Sequence, residues 1–539
     1  MDRREELITD IPSRVVAGPV GEAGKRGQWR FHAYRAREYS GKMVTCGFET
    51  NPDPLVIRLD VRGPYRIHLG LFKVFQGSRT VVRLRLSSDS CCRMVEVTPR
   101  EHASDTAIYE IPWRDANLTN QELILEAEYN VPGSLASIRL EPIPALTEPK
   151  SPDVAFPMAV TEDGHQAFVE RPHRRPEDLY EALDRIPDNS CMRILLWCIA
   201  GADLCNYPTR VGTYDYGRSR DPILPGYGVR DENMRLWRKN GWDSMQVMGD
   251  YARKRGWEFH VSMRMEAFSA HYPFDDVFFS EFFNAHPELR CRDEKGEIIG
   301  RLSYAHPEVQ DHILAIAGEI LAYEPDGFNA IFVRGMPLVL YEPIMVEGFQ
   351  REYGLNALDL AEDDERWTAY KCNIITGFMR RLKSLLKPGQ RLSALMPPDK
   401  YRCYWGGLDV ETWVGEGIID DVYPVAHTYD EHDVHRFDDS ALDLDYFLNL
   451  LGRERIRVIP VFSRWTKPGA RQLIGAHLDN GADGYCLWDG ASKRVLPDSL
   501  DLGYRERPPR VERGEEYRRV PLQRIGDFRI DRYHPWEVF

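Results

Sequence analysis

Carboxylate, guanidinium and indole side chains recur in this chain of 539 residues just beyond short apolar runs. Arg264 and Glu266 follow one such run two residues apart, a spacing that turns both to the same side of an extended backbone. Arg334 follows another, with Tyr341-Glu342-Pro343 further on; Trp465 follows a later one, and Trp488-Asp489 the last. Trp197 ends an earlier run that leads to Asp203 and Tyr207, while Tyr304 and His427 lie in loops of the same kind. Guanidinium forks and flat indoles suit a hydroxyl-rich ligand held by paired hydrogen bonds and stacking. Two carboxyls beside it, one protonated to donate to a leaving oxygen and one ionised to attack carbon or activate water, would cleave a glycosidic bond.

On that chemistry Glu342 is the candidate general acid and Glu266 the second carboxylate. Arg264 and Arg334 orient them or the ligand. Trp197, Tyr341, Trp465 and Trp488 offer stacking rings, and Asp203, Tyr207, Tyr304, His427 and Asp489 offer polar contacts. Each acid has a plainer role: Glu266 would neutralise an arginine, and Glu342 would cap the helix after it. His427, His432 and His435, interleaved with acids, invite a metal reading, but their spacing matches no standard site. Ser463 lacks the GxSxG context of a nucleophilic serine. No metal or cofactor is expected.

The elements that must position these residues are legible as a change of period along the chain. Up to about residue 150, Leu55-Ile57-Leu59-Val61 and Val82-Leu84-Leu86 alternate with polar residues, and similar runs follow at 107–111, 123–129 and 136–140. This predicts an all-β, jelly-roll-like sandwich over 1–150, either structural or carbohydrate-binding. Prolines 144, 149, 152 and 157 then mark a linker. Beyond it, β-like runs at 166–170, 193–199, 258–263, 327–333, 391–396, 418–423, 456–462 and 484–487 alternate with amphipathic helices. Eight such repeats predict a (β/α)8 barrel over 151–495, whose site belongs at the C-terminal ends of the strands. The acidic run Glu362–Glu365 is expected to cap a helix. Residues 496–539 carry Val520, Leu522, Ile525, Phe528 and Ile530, expected to return as strands to the β domain.

Composition narrows the partners. A net charge of -14 opposes non-specific binding to nucleic acid or anionic lipid. No apolar stretch is long enough to span a bilayer, and Met1–Asp10 is charged, so a cytoplasmic protein is expected. Ten cysteines without paired CxxC knuckles read as reduced, buried thiols. The 11% of aromatic residues, many beside Gly, Pro, Asp and Arg, point to carbohydrate as the partner; a homo-oligomer is compatible with the sequence.

The run Tyr304-Ala305-His306-Pro307-Glu308-Val309, with Asp326-Gly327-Phe328 and Arg334 downstream, resembles the central motif of bacterial glycosyl-hydrolase-like proteins described as family-10-like. Arg264-Met265, Gly407-Leu408-Asp409-Val410-Glu411-Thr412-Trp413 and Gly481-Ala482-Asp483-Gly484 are similar to further segments of that group. The resemblance spans roughly 190–490 and implies a TIM barrel acting on carbohydrate. The chain departs from it where acids are usual: Asn329 and Ile331 stand in the fourth strand, and Glu266-Ala267 stands in place of Asn-Asp. Strand seven ends in Ser463-Arg464 without a carboxylate. Either the acids moved to Glu266 and Glu342, giving a glycoside hydrolase, or the barrel binds carbohydrate without catalysis.

Overall fold

A computed structural model describes residues 4–21, 27–47, 52–72, 80–89, 91–97, 107–129, 131–146, 153–181, 183–199, 201–214, 226–266, 278, 280–430, 433–437, 439–490, 499–505 and 518–529. The fold is mixed α/β with curled sheets, and the chain divides into two units. One comprises Met1–Ser151, Asp184–Pro187 and Pro508–Phe539; the other comprises Pro152–Leu183 and Asp188–Arg507.

The first unit holds a ten-stranded and a five-stranded sheet, antiparallel but for one short parallel pair. The alternation seen in sequence sorts side chains by face: Leu55 and Ile57 from one sheet and Ile67, Leu69 and Leu71 from the other enter a single buried cluster. Each such burial contributes about 1.5–3 kcal/mol. Arg518–Ile525, from the far end of the chain, lies between Ala107–Asn117 and Trp29–Ala36, with antiparallel partners on both sides. Within this unit Arg83, itself buried, pairs with Glu126 and Asp184, so desolvating its charge is offset by two carboxylates.

The second unit is built on parallel strands: Met158–Glu162, Met192–Cys198, Glu258–Arg264, Gly327–Ile331, Arg391–Met396, Asp421–Pro424, the broken strand Arg457–Val458 with Val461–Phe462, and Tyr485–Leu487. The pairing of Tyr485–Leu487 with Met158–Glu162, and of Val461 with both Val425 and Cys486, returns the hydrogen-bonded path to its start. Ala159, Ile194, Leu196, Ile331, Leu395, Tyr423, Val461 and Cys486 meet in one core cluster on the enclosed face. Helix Pro307–Leu321 opens on Pro307 and buries Val309, Ile313, Ile316, Ala317 and Ile320. Helix Glu365–Leu385 is capped by Asp364, which accepts the N–H of Arg366 at 2.9 Å.

Two strand expectations are corrected. Residues Gln166–Val169 form a short helix, and the first parallel strand lies earlier, at Met158–Glu162. The sixth strand spans Asp421–Pro424 rather than 418–423, so Asp421 starts it. Asp421 therefore sits at the opposite end from the candidate site, where it pairs with Arg391 at 2.5 Å and Arg457 at 2.7 Å. Arg457 also binds Glu258, which accepts from or pairs with His260 at 3.1 Å. This network pairs two arginines with two carboxylates at the end of the strands away from the candidate site. No disulfide joins the ten cysteines, nine of which are buried.

Candidate active site

Register decides which side chains reach the C-terminal mouth of the parallel strands. Ala159 pairs with Ile194 on the enclosed face, so Thr161 and Leu196 share that face two residues on, while Glu162 and Trp197 share the other. Trp197, expected as a stacking ring, is fully buried on that other face. Asp163 continues the sequence beyond the strand. Its Oδ1 accepts the N–H groups of His165 at 2.8 Å and Gln166 at 2.7 Å, and its Oδ2 lies 3.9 Å from the Arg264 guanidinium. Gly164, at φ +69°, makes this turn; a Cβ there would strike the Cys198 carbonyl.

Arg264 ends its strand in register with Ile331, on the enclosed face. Burial works against its charge, and Cys198, Asp163, Asp489 and Glu266 more than offset it, raising the pKa above its ordinary value. Asp489 adopts φ +47°, uncommon for a non-glycine residue, and its N–H donates to Thr161 Oγ1 at 2.8 Å. Beside it, the Trp488 ring faces the Arg334 guanidinium at 5.1 Å, and Trp465 Nε1 donates to the Trp488 carbonyl at 2.9 Å. Below the mouth Ser262, Asn329 and Ser393 form a hydrogen-bonded layer, Asn329 Nδ2 donating to Ser393 Oγ at 2.8 Å.

Glu266 is buried at the next position round the mouth. Its Oε1 accepts the backbone N–H of Arg334, and its Oε2 has no hydrogen-bond partner. Burial pushes the carboxyl up to about 8 against the pull of Arg301, Arg334 and Arg264. Asp163 moves the other way: although burial opposes ionisation, Arg264, His165 and the two backbone N–H groups hold it below the ordinary carboxylate range. Two carboxyls at one mouth are thus pushed apart, one protonated and one ionised at neutral pH. Glu162 faces away from them; burial, then Asp163, Asp489 and Glu170, push it well above the usual range.

Glu342 stands elsewhere in this arrangement. Fully buried, it precedes helix Pro343–Tyr353, and its oxygens accept the N–H of Arg292 at 3.2 Å and of Leu340 at 3.0 Å. A carboxyl that accepts backbone N–H groups in the interior suits loop anchoring. Tyr341 stacks on Trp367 at 5.2 Å. Asp203 accepts from Ser280 and His312, and Tyr207 donates to Glu319 at 3.4 Å, so both tie their loop to helix Pro307–Leu321. Tyr304 is buried and donates to the Met265 carbonyl at 2.7 Å, fixing the backbone between Arg264 and Glu266. His427 begins the strand His427–Asp430, but its side chain, with that of His435 and all of His432, lies outside the described residues. Among the described residues no group of three or more His, Cys, Asp or Glu could hold a metal ion. Ser463 Oγ donates to Asp439 at 2.8 Å.

Asp163, Thr161 and Arg301 are the members that sequence reasoning missed. The signal was present in Met158-Ala159-Val160-Thr161-Glu162-Asp163-Gly164, an apolar run closing on an acid and a glycine.

No family model matches the chain, and no curated protein matches it. Among solved structures it is similar to the glycoside hydrolase domain of PelA from Pseudomonas aeruginosa, at 14% identity over 47% of this chain and 86% of that one, TM-score 0.31. It is similar to an alpha-galactosidase from Thermus thermophilus at 13% identity over 87% of this chain and 92% of that one, TM-score 0.34. A chitinase from Bacteroides thetaiotaomicron matches at 11% identity over 64% of this chain and 93% of that one, TM-score 0.32.

Proposed function

We propose that the second unit is a (β/α)8 barrel, that the first is a β-sandwich, and that the barrel hydrolyses glycosidic bonds at its C-terminal mouth. Glu266 is the general acid: protonated at neutral pH, it donates from Oε2 to the leaving oxygen. Asp163 is the ionised partner that attacks the anomeric carbon or activates water. Arg264 orients Asp163, Tyr304 holds the backbone that carries Glu266, and Trp488 with Asp489 receives the sugar. The single observation behind this reading is the opposite displacement of the Glu266 and Asp163 carboxyls around Arg264.

The test is turnover of a panel of chromogenic glycosides and oligosaccharides by the full chain, repeated with Glu266→Gln and Asp163→Asn. Hydrolysis by the parent chain and its loss in both variants, with folding intact, is expected; undiminished turnover in either variant overturns the assignment. A second reading, a carbohydrate-binding barrel without catalysis, is favoured by the seventh strand, which ends in Ser463-Arg464 bound to Asp439 with no acid at the mouth. It predicts sugar binding with no hydrolysis of any panel member.

A further inference from the structure

Two guanidinium groups beside Glu266 have work left over. Arg301, on the strand Ile298–Leu302, donates from Nη1 to the Gly335 carbonyl, and Arg334 lies over Trp488. The Nε of each is buried and makes no hydrogen bond, and neither side chain forms an ion pair among the described residues. Both act on Glu266: a Cβ at Gly335 would meet Arg301 Nη1 and Glu266 Cγ, and the charges of Arg301 and Arg334 both pull against the burial of the Glu266 carboxyl. Arg264, by contrast, has Asp163 at 3.9 Å. Two arginine charges beside one carboxyl repel, and leaving buried N–H groups without acceptors costs free energy unless a ligand supplies the acceptors.

We propose that the mouth takes a sugar bearing an anionic substituent, a carboxylate or a sulfate, held by Arg334 and Arg301. A carboxylate offers two oxygens to a guanidinium fork, and the Trp488 ring lies 5.1 Å from the Arg334 guanidinium. The inference rests on the preceding one in a single respect: Glu266 must be protonated, because an ionised Glu266 would itself neutralise these arginines. It makes the substrate a glycoside of a uronic acid or of a sulfated sugar, and neutral glycosides poor substrates.

Binding separates this from the catalytic reading. Isothermal titration of the full wild-type chain with D-glucuronic acid, D-galacturonic acid and D-glucose 6-sulfate, against D-glucose and D-galactose, uses probes that contain no glycosidic bond. At least one anionic sugar is expected to bind about tenfold or more tighter than its neutral counterpart, as one charge-assisted contact supplies. Preference for the uronates assigns a carboxylate, and preference for the sulfate ester assigns a sulfate. Arg334→Gln, or Arg301→Gln where the first does not fold, is expected to abolish the preference. Equal affinity for charged and neutral sugars overturns the proposal, as does a preference that survives in a folded variant. An anion preference without hydrolysis of any glycoside leaves this proposal standing and removes the catalytic one.

Discussion

The Asp163 carboxylate lies 3.9 Å from the Arg264 guanidinium, joining the end of the first parallel strand to that of the third. That pair fixes the ionised side of the mouth, and Glu266, two residues beyond Arg264, supplies the protonated side. The site thus depends on three segments meeting, and its predictions follow from what each contributes.

Replacing Glu266 with Gln removes the transferable proton while keeping the shape of the side chain. Turnover of glycosides with poor leaving groups is expected to fall by about 10²- to 10⁴-fold, and activated aryl glycosides are expected to lose less. Initial rates on the two substrate types check this, and equal losses on both would sink the acid role.

The rate should follow the two ionisations. With Glu266 as the proposed general acid, kcat/KM is expected to decline as pH rises through about 8. With Asp163 as the proposed ionised partner, the acidic limb is expected below the ordinary carboxylate range. A pH–rate profile of wild type against Glu266→Gln reads this out, the variant losing the alkaline limb.

Glu342→Gln is expected to lower the thermal midpoint and leave kcat per folded molecule unchanged. The change weakens acceptance of the Arg292 and Leu340 N–H groups, each buried bond to a charged acceptor being worth about 1.5–3 kcal/mol. A collapse of kcat in a folded variant would restore Glu342 to the reaction.

Gly164→Ala is expected to cost stability and turnover together. Residue 164 sits at φ +69° against the Cys198 carbonyl, so the methyl group must move the turn that presents Asp163. Thermal melts and steady-state rates on the same preparation check both effects.

At the other end of the strands, Asp421→Ala is expected to destabilise by about 1–3 kcal/mol, because Arg391 and Arg457 lose a buried charged acceptor while Arg457 keeps Glu258. The same network sets an acid limit. Burial opposes it, but hydrogen bonds from His260 and Arg457 hold Glu258 down at about 2. A carboxyl held below its unfolded value of ~4.3 contributes stability that is fully present above that pH and is lost as pH falls toward about 2. Denaturant midpoints across this window measure it.

Local pattern was enough for most strands of the second unit, because an apolar run between turn residues has few other ways to be buried: Arg391–Met396 matches its expected span, and Glu258–Arg264 and Tyr485–Leu487 differ by one residue. It failed at the first strand. Gln166–Val169 is apolar enough to pass for a strand, but Asp163 accepts the His165 and Gln166 N–H groups and starts a helical turn there. That misplacement hid Asp163.

The sequence by itself determined most strands and helices of the second unit and placed Arg264, Glu266, Arg334, Trp488 and Asp489 at or beyond strand ends, since hydrophobic period and turn residues are local properties. Only the tertiary structure decided that Glu266 keeps one buried oxygen without a hydrogen bond while Glu342 accepts the N–H groups of two backbone segments. Glu266 and Glu342 are the same residue type in similar loops; one is pushed up to about 8 by burial at the mouth, and the other accepts the N–H groups of Arg292 and Leu340. Burial and the direction of nearby charges are sums over distant segments, and no window of sequence contains them.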